Sequence, residues 1–172
     1  MDFLQLAAGR RCIRNFSDSP VPDELVVRLL EAAHFAPSAG NLQPWQFYVI
    51  KSKAVQQEIC KRCYPVSWLT TAPLMIVVVA DLNKSSFRYH ERGAELYCLQ
   101  DTAAAIQNLL LAAASMDIGA CWIGAFSEEN MTDILQLKKD LRPVAILPIG
   151  YAAESPEGPG REPIASAITW VE

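Results

Sequence analysis

The sequence predicts an α+β domain with helices packed against a sheet, and three observations lead there. Leu74 to Asp81 is almost continuously apolar and β-branched, the pattern of a central strand covered on both faces. From about Ala94 to Met116 the pattern is helical and apolar nearly all round, the mark of a buried helix. Strands and helices alternate irregularly, with too few strands for a complete doubly wound fold, so a three-layer or two-layer α+β sandwich fits best. The chain has 172 residues, with no internal repeat and no linker long enough to separate units, so residues 1–172 read as one domain.

Taken in order, Asp2 to Ala8 reads as a short opening helix closed by Gly9. The turn chemistry of Ser17 to Asp23 leads into a helix on which Leu25, Val26, Leu29, Leu30 and Ala33 recur at helical spacing. That helix ends near Ala36, because Pro37 disfavours helical geometry in the residue before it. Pro37 to Pro44 is a loop carrying Ser, Gly and Asn. Trp45 to Lys51 is a strand, Ala54 to Cys63 a polar-faced helix, and Asp81 to Ser86 a loop after the central strand. Gly119 closes the long helix, and Ala120 to Ile123 is a short strand running into Gly124. Ser127 is placed to cap a short helix with Glu128 and Glu129 in its first turn. Pro143 to Tyr151 is a last apolar strand, followed by the Pro- and Gly-rich stretch Glu154 to Arg161.

Composition narrows the function. The hydrophobic fraction is 51% and the charged fraction 20%, an apolar balance for a small monomer, and part of that excess suits a subunit interface. One protomer of this size can hardly cover the Ala94 to Met116 helix alone. The net charge of -4, with no basic run beyond Arg10-Arg11, argues against a nucleic-acid surface. The N-terminus lacks the basic flank and apolar core of a signal peptide, and Thr102 to Met116 is shorter than the ~20 residues of a membrane span, so a cytoplasmic location is expected. Five cysteines are then free thiols in a reducing compartment. Cys60 and Cys63 match a redox or half-zinc spacing, but they fall in a helix with no second pair and no nearby His, which favours a structural role. No metal site is expected.

The usual nucleotide and nucleophile signatures are missing: there is no G-x-G-x-x-G after a strand, no P-loop and no G-x-S-x-G. His34 and His90 are the only histidines, and both read as structural or solvent-facing. What stands out is Arg10, Arg11 and Arg14 within five residues of an otherwise acidic protein. Their guanidinium groups can fork onto phosphate oxygens, or they can decorate a solvated turn. The loop Ser38 to Gln43 offers donors and acceptors at the end of a helix, or it is an ordinary turn. Together the two segments describe a site with an anionic end and a neutral, hydrogen-bonding end, which suits a flavin mononucleotide, FMN.

The stretches R-R-C-I-R-N-F from Arg10, A-P-S-A-G-N-L-Q-P-W-Q-F-Y-V-I from Ala36, A-A-A-I-Q-N-L-L-L-A-A from Ala103 and C-W-I-G from Cys121 together resemble the nitroreductase family of flavoproteins. The resemblance spans about Arg10 to Arg161. It implies an α+β nitroreductase-like fold with a central mixed sheet flanked by helices, an intertwined homodimer, and FMN sites at the subunit interface. Arg10, Arg11 and Cys12 match the segment that binds the FMN phosphate, with Cys12 at a position that is often Ser. Arg14 matches the basic residue near the pyrimidine edge of the ring, where it would support the reduced flavin. Pro37, Ser38, Asn41 and Gln43 match the loop that touches the ring and ribityl chain, contributed by the partner subunit in many family members. Ile123 and Gly124 match the backbone pair beside flavin N5, and Arg161 the late basic residue that closes on the phosphate.

The activity implied is NAD(P)H-dependent reduction of nitroaromatic, quinone or similar electron-poor acceptors by a ping-pong mechanism, with no catalytic side chain because the chemistry is flavin-borne. Three alternatives stay open: related flavin chemistry such as reductive dehalogenation or oxygen-dependent flavin fragmentation, a non-catalytic FMN-binding module, and a thiol redox or zinc protein built on Cys60 and Cys63. The chain is shorter than the longer nitroreductases, and Cys63 to Thr71, with Tyr64 and Trp68, would line what remains of their substrate channel.

Overall fold

The computed structural model describes residues 2–172. Its elements run α1 (Phe3–Gly9), α2 (Asp23–His34), β1 (Trp45–Ile50), α3 (Lys53–Arg62), β2 (Leu74–Asp81), α4 (Leu82–Arg92), α5 (Cys98–Ser115), β3 (Gly119–Ala120), α6 (Glu128–Leu135) and β4 (Leu141–Gly150). The sheet order is β1-β2-β4-β3. Strand β2 is central, as its unbroken apolar run predicts, and Leu74 through Ala80 are all buried.

Side-chain alternation along β2 divides the core into two layers. Leu74, Ile76 and Val78 join Leu29, Ile106 and Leu109 under α2 and α5. Met75, Val77 and Val79 join Ile59 and Met131 under α3 and α6. The result is the three-layer α+β arrangement. Helix α5 buries Asp101, Thr102, Ala105, Ile106, Leu109 and Leu110 but leaves Gln100 and Gln107 exposed, so a single protomer covers only one side of it. Asn108 ties the covered side to α2 by donating to the Ala32 carbonyl at 3.1 Å.

The four strands pair antiparallel throughout, and the parallel component of the expected mixed sheet is confined to one bridge between Cys12 and Ala120. The reason lies in the connection from β1 to β2. After α3, residues 63–73 run back to the end of the sheet where β1 finished, so Ile50 faces Met75 and Trp45 faces Ala80.

The region from Asp81 to Ser86, expected as a loop, is the start of α4, capped by Asp81 accepting from the Lys84 amide at 3.1 Å. The helix carries no apolar stripe to betray it: Ser85 is its one buried residue, and Phe87 stands almost fully in solvent. His90, expected in a loop, sits at a kink in this helix with φ +50. The long helix is broken near its start by a π-helical turn, Gly93–Tyr97, before α5 proper. Gly93 permits that packing, since a Cβ there would lie 2.3 Å from the Ser85 carbonyl oxygen. Among the described residues no helix is long and apolar enough to cross a membrane.

Candidate functional site

The chain from Arg10 to Ser17 has few residues of regular structure, yet it is held firmly. The Ile13 amide donates to the Ala120 carbonyl at 3.1 Å, and the Ser17 amide to the Tyr151 carbonyl at 2.9 Å. Glu154 clamps the middle, accepting from the backbone amides of Arg14 at 2.5 Å and Asn15 at 3.1 Å. Ile13 and Phe16 are the inward anchors, both buried, so the residues between and before them face out. Backbone pinning of this kind leaves the arginine side chains free to converge.

Arg10, Arg11, Cys12 and Arg14 line one cavity of about 400 Å³, closed on its far side by Pro156 to Pro159 and by Arg161. Five of the residues singled out in the sequence are thereby brought together. Arg11 is positioned by donating to the Ala8 carbonyl at 2.6 Å and to that of Arg10 at 3.0 Å. The tail passes so close that a Cβ on Gly158 would lie 2.5 Å from the Arg11 guanidinium. Glu157 is the one acid on the cavity wall, and none of the four arginines is paired with a carboxylate among the described residues. Four unneutralised guanidinium groups around one opening fit a phosphoryl group, for which they offer forked, charge-assisted donors.

Cys12, half-buried, is part of the wall of this cavity. Its thiol is held well below the ordinary thiol range, first by a hydrogen bond from the Cys121 thiol, then by the Trp122 amide and Arg10, against the opposing effect of burial. The Arg10 guanidinium donates to the Cys12 sulfur at 3.8 Å. Cys121 is displaced the other way: the adjacent Cys12 and burial both push its thiol up.

Pro37, Ser38, Asn41 and Gln43 lie elsewhere, and none of them lines the basic cavity of the same chain. Their loop is built tightly. Gly40, Asn41 and Gln43 all have positive φ, at +58, +56 and +50. Ser38 Oγ accepts from the Gln43 amide at 2.9 Å, and Gln43 Nε2 donates to Asn41 Oδ1 and to the Asn41 carbonyl, each at 3.1 Å. From below, Asp101 on α5 accepts from the Ala39 amide at 3.0 Å. The second Asp101 carboxylate oxygen is buried with no partner, and burial raises its carboxyl above the usual range. Asp101 and Glu154 were missed in the sequence; a lone acid in the apolar run of α5 was the available signal for the first, and nothing local marked the second.

Ile123 and Gly124 follow β3. The Ile123 amide and carbonyl are both engaged with Ile146, at 3.0 Å each, and its side chain is buried. Of this backbone pair only the Gly124 amide has no acceptor among the described residues, and it stands exposed with nothing nearer to its missing Cβ than Trp122 Nε1 at 3.9 Å.

The remaining candidates are absorbed by the fold. His34 accepts a hydrogen bond from Trp45 Nε1 at 3.2 Å. All five cysteines are free. Cys60 donates to the Val66 carbonyl at 3.2 Å, Cys63 is buried, and no group of three metal-ligating side chains occurs among the described residues.

The chain is similar in sequence and fold to known proteins. A Methanothermobacter thermautotrophicus protein, provisionally named NADH dehydrogenase/NAD(P)H nitroreductase, is 31% identical over 160 residues, covering 91% of this chain and 80% of that one. The FMN reductase [NAD(P)H] of Bacillus subtilis is 26% identical, covering 89% and 67%. A crystal structure of a nitroreductase family protein from Streptococcus pneumoniae TIGR4 superposes with a TM-score of 0.90 at 25% identity, covering 99% and 100% of the two chains. The family pattern described as Nitroreductase matches residues 7–68 and 55–151. With its sequence and its fold both in agreement, the chain belongs to the nitroreductase family.

Proposed function

We propose that this protein is an FMN-dependent oxidoreductase that uses NAD(P)H to reduce electron-poor acceptors such as nitroaromatics or quinones, and that it works as a homodimer. The observation that carries the reading is the convergence of Arg10, Arg11, Arg14 and Arg161, none neutralised by a carboxylate, around one cavity. The names of relatives support both cofactor and donor: one is an FMN reductase [NAD(P)H], another carries NAD(P)H nitroreductase in its name.

When bound, FMN supplies the redox chemistry, taking hydride from the nicotinamide and passing it to the acceptor. The protein's own residues bind and orient. Arg10, Arg11 and Arg161 grip the phosphate, with the Cys12 thiol beside them in place of a hydroxyl. Arg14, exposed on the same wall, supplies fixed positive charge toward the pyrimidine edge, where negative charge must be stabilised in the reduced state. The Gly124 amide is the free backbone donor for the ring. The Ser38 to Gln43 loop, absent from the cavity of its own chain, serves the site of the partner subunit, presenting the side-chain groups that Ser38, Asn41 and Gln43 do not use within the loop. Nicotinamide and acceptor would occupy the site in turn, which is a ping-pong cycle.

The test is spectroscopic. Purified protein incubated with FMN should retain a flavin absorbance band after desalting, lose it anaerobically with NADH or NADPH, and regain it on adding a nitrofuran. Retained flavin that neither nicotinamide bleaches would leave a binding module; consumption of flavin in air without acceptor would favour flavin fragmentation.

A further inference from the structure

We propose that Cys12, in the wall of the basic cavity, and the buried Cys121 form a peroxide-reactive dithiol, and that an anionic ligand seated on Arg10 suppresses its oxidation. The dithiol itself rests on the fold alone, while its suppression by FMN rests on the function proposed above.

Two elements bring the thiols together. The bridge between Cys12 and Ala120, with the Ile13 amide bonded to the Ala120 carbonyl, sets the N-terminal segment beside the end of β3, and Cys121 is the next residue. The Arg10 guanidinium donates to the Cys12 sulfur at 3.8 Å, and Cys121 and the Trp122 amide lie near enough to favour its ionised form. Such a setting stabilises thiolate, the nucleophilic form. Cys12 also lines the cavity, open to a small oxidant, whereas Cys121 is buried and keeps its proton. The other three cysteines differ: Cys60 and Cys98 donate to the Val66 and Ala94 carbonyls, and burial pushes the thiols of Cys63 and Cys98 up.

The chemistry balances with hydrogen peroxide as oxidant. The Cys12 thiolate attacks one peroxide oxygen, the O–O bond breaks, and the departing hydroxide takes up a proton to leave as water, giving a sulfenic acid on Cys12. The Cys121 sulfur then attacks Cys12 Sγ, its proton goes to the departing oxygen, and a second water leaves as the S–S bond forms. Two thiols have lost two hydrogens and peroxide has become two waters; an external dithiol reverses the change.

Ligand dependence follows from Arg10, whose guanidinium serves both partners. A phosphoryl group on Arg10 competes with the thiolate for the same positive charge and covers the approach to the sulfur. Ligand binding should therefore raise the Cys12 value and slow its reactions.

The experiment follows Cys12 directly by mass spectrometry of the purified full-length protein, with and without added FMN, with inorganic phosphate as a second probe. Dilute peroxide should yield a Cys12–Cys121 linked peptide, reversed by dithiothreitol. In a C121S variant Cys12 should instead stop at a sulfenic acid trapped by dimedone. Iodoacetamide should alkylate Cys12 with a half-maximal pH well below the ~8.5 of a free thiol, and saturating FMN should slow that alkylation by about tenfold or more. If peroxide modifies Cys60 first, or yields no Cys12–Cys121 link while the wild-type protein is folded by circular dichroism, the dithiol is overturned. If FMN binds by fluorescence quenching yet leaves the Cys12 rate within twofold, the suppression is overturned. If FMN does not bind at all, the proposed function fails, and the peroxide and phosphate measurements still judge the dithiol and its suppression.

Discussion

The two regions matched to the flavin-binding segments of the family are built on opposite plans. The basic cavity is complete within one chain: its arginines are aimed by backbone hydrogen bonds to Glu154, Tyr151 and Ala120, and their charges are left unspent. The polar loop at Ser38 to Gln43 is also tightly bonded, but it is braced by Asp101 on α5 and lines no part of that cavity. Rigidity with no local client is what a group donated to another subunit requires. The long-range charge that captures an anion can stand on one protomer, whereas the short-range contacts that orient a ring need a second surface placed to within about half an ångström. Apolar side chains are also left exposed, at Phe35 and Phe87 and along the tail at Ile164, Ile168 and Trp170.

The largest expected effect breaks the first region. Replacing Arg10 and Arg14 by Ala removes two charged donors, and a hydrogen bond that involves a charged group is worth about 1.5–3 kcal/mol, so FMN affinity should fall by at least about a hundredfold. Fluorescence titration would show it, and thermal unfolding should barely move, since neither side chain is paired with a carboxylate. Wild-type affinity in the double variant would mean that the cavity does not hold the phosphate.

How much of this was legible beforehand follows the same division. The basic region was legible because charge is a local signal: three arginines in five residues stand out in an acidic chain whatever the fold does with them. The core was legible for a similar reason, since the unbroken run of β2 and the 3.6 period of α2 record burial directly. What failed to show was anything set by solvent or by distant chain. Helix α4 buries only Ser85 and leaves no periodic trace. The antiparallel pairing of β1 with β2 depends on the return path of residues 63–73, which no local pattern encodes. Glu154 and Asp101 act on amides 139 to 140 and 62 residues away, so their roles emerge only when the chain closes on itself. The split between Ile123 and Gly124 is of this kind too, because Ile146 takes the first amide.

A middle-sized effect sharpens the second region. Asp101→Ala orphans the half-buried Ala39 amide, which should cost about 1 kcal/mol and loosen the loop, while Asp101→Asn keeps an acceptor in place. The two variants separate through pH. Burial raises the Asp101 carboxyl in the folded state, so the stability tied to its protonation is fully present below the unfolded value of about 3.9 and is lost as pH rises through the folded value. The Asn variant carries no such proton. Urea unfolding across this range should show wild type losing ground to Asp101→Asn as pH rises from about 4, with Asp101→Ala below both at neutral pH. Parallel curves for wild type and Asp101→Asn would mean that the carboxylate is charged and satisfied, and the loop is braced in another way.

The smallest effect tests whether the cavity and the ring-facing backbone can be separated in one molecule. Gly124 has the one free amide of its backbone pair and is not in a left-handed conformation, so Gly124→Pro deletes the donor at a position whose φ a proline need not contradict. A single neutral hydrogen bond contributes about 0.5–1.5 kcal/mol, which sets the expected change at about two- to tenfold in the rate of nicotinamide-dependent bleaching. The FMN dissociation constant should move by less than that, because the arginines dominate binding. Gly124→Ala, which keeps the amide and meets nothing closer than Trp122 Nε1 at 3.9 Å, serves as the control and should match wild type. An equal fall in both variants would trace the effect to the added carbon near Trp122, and the Gly124 amide would lose its assigned place beside the ring.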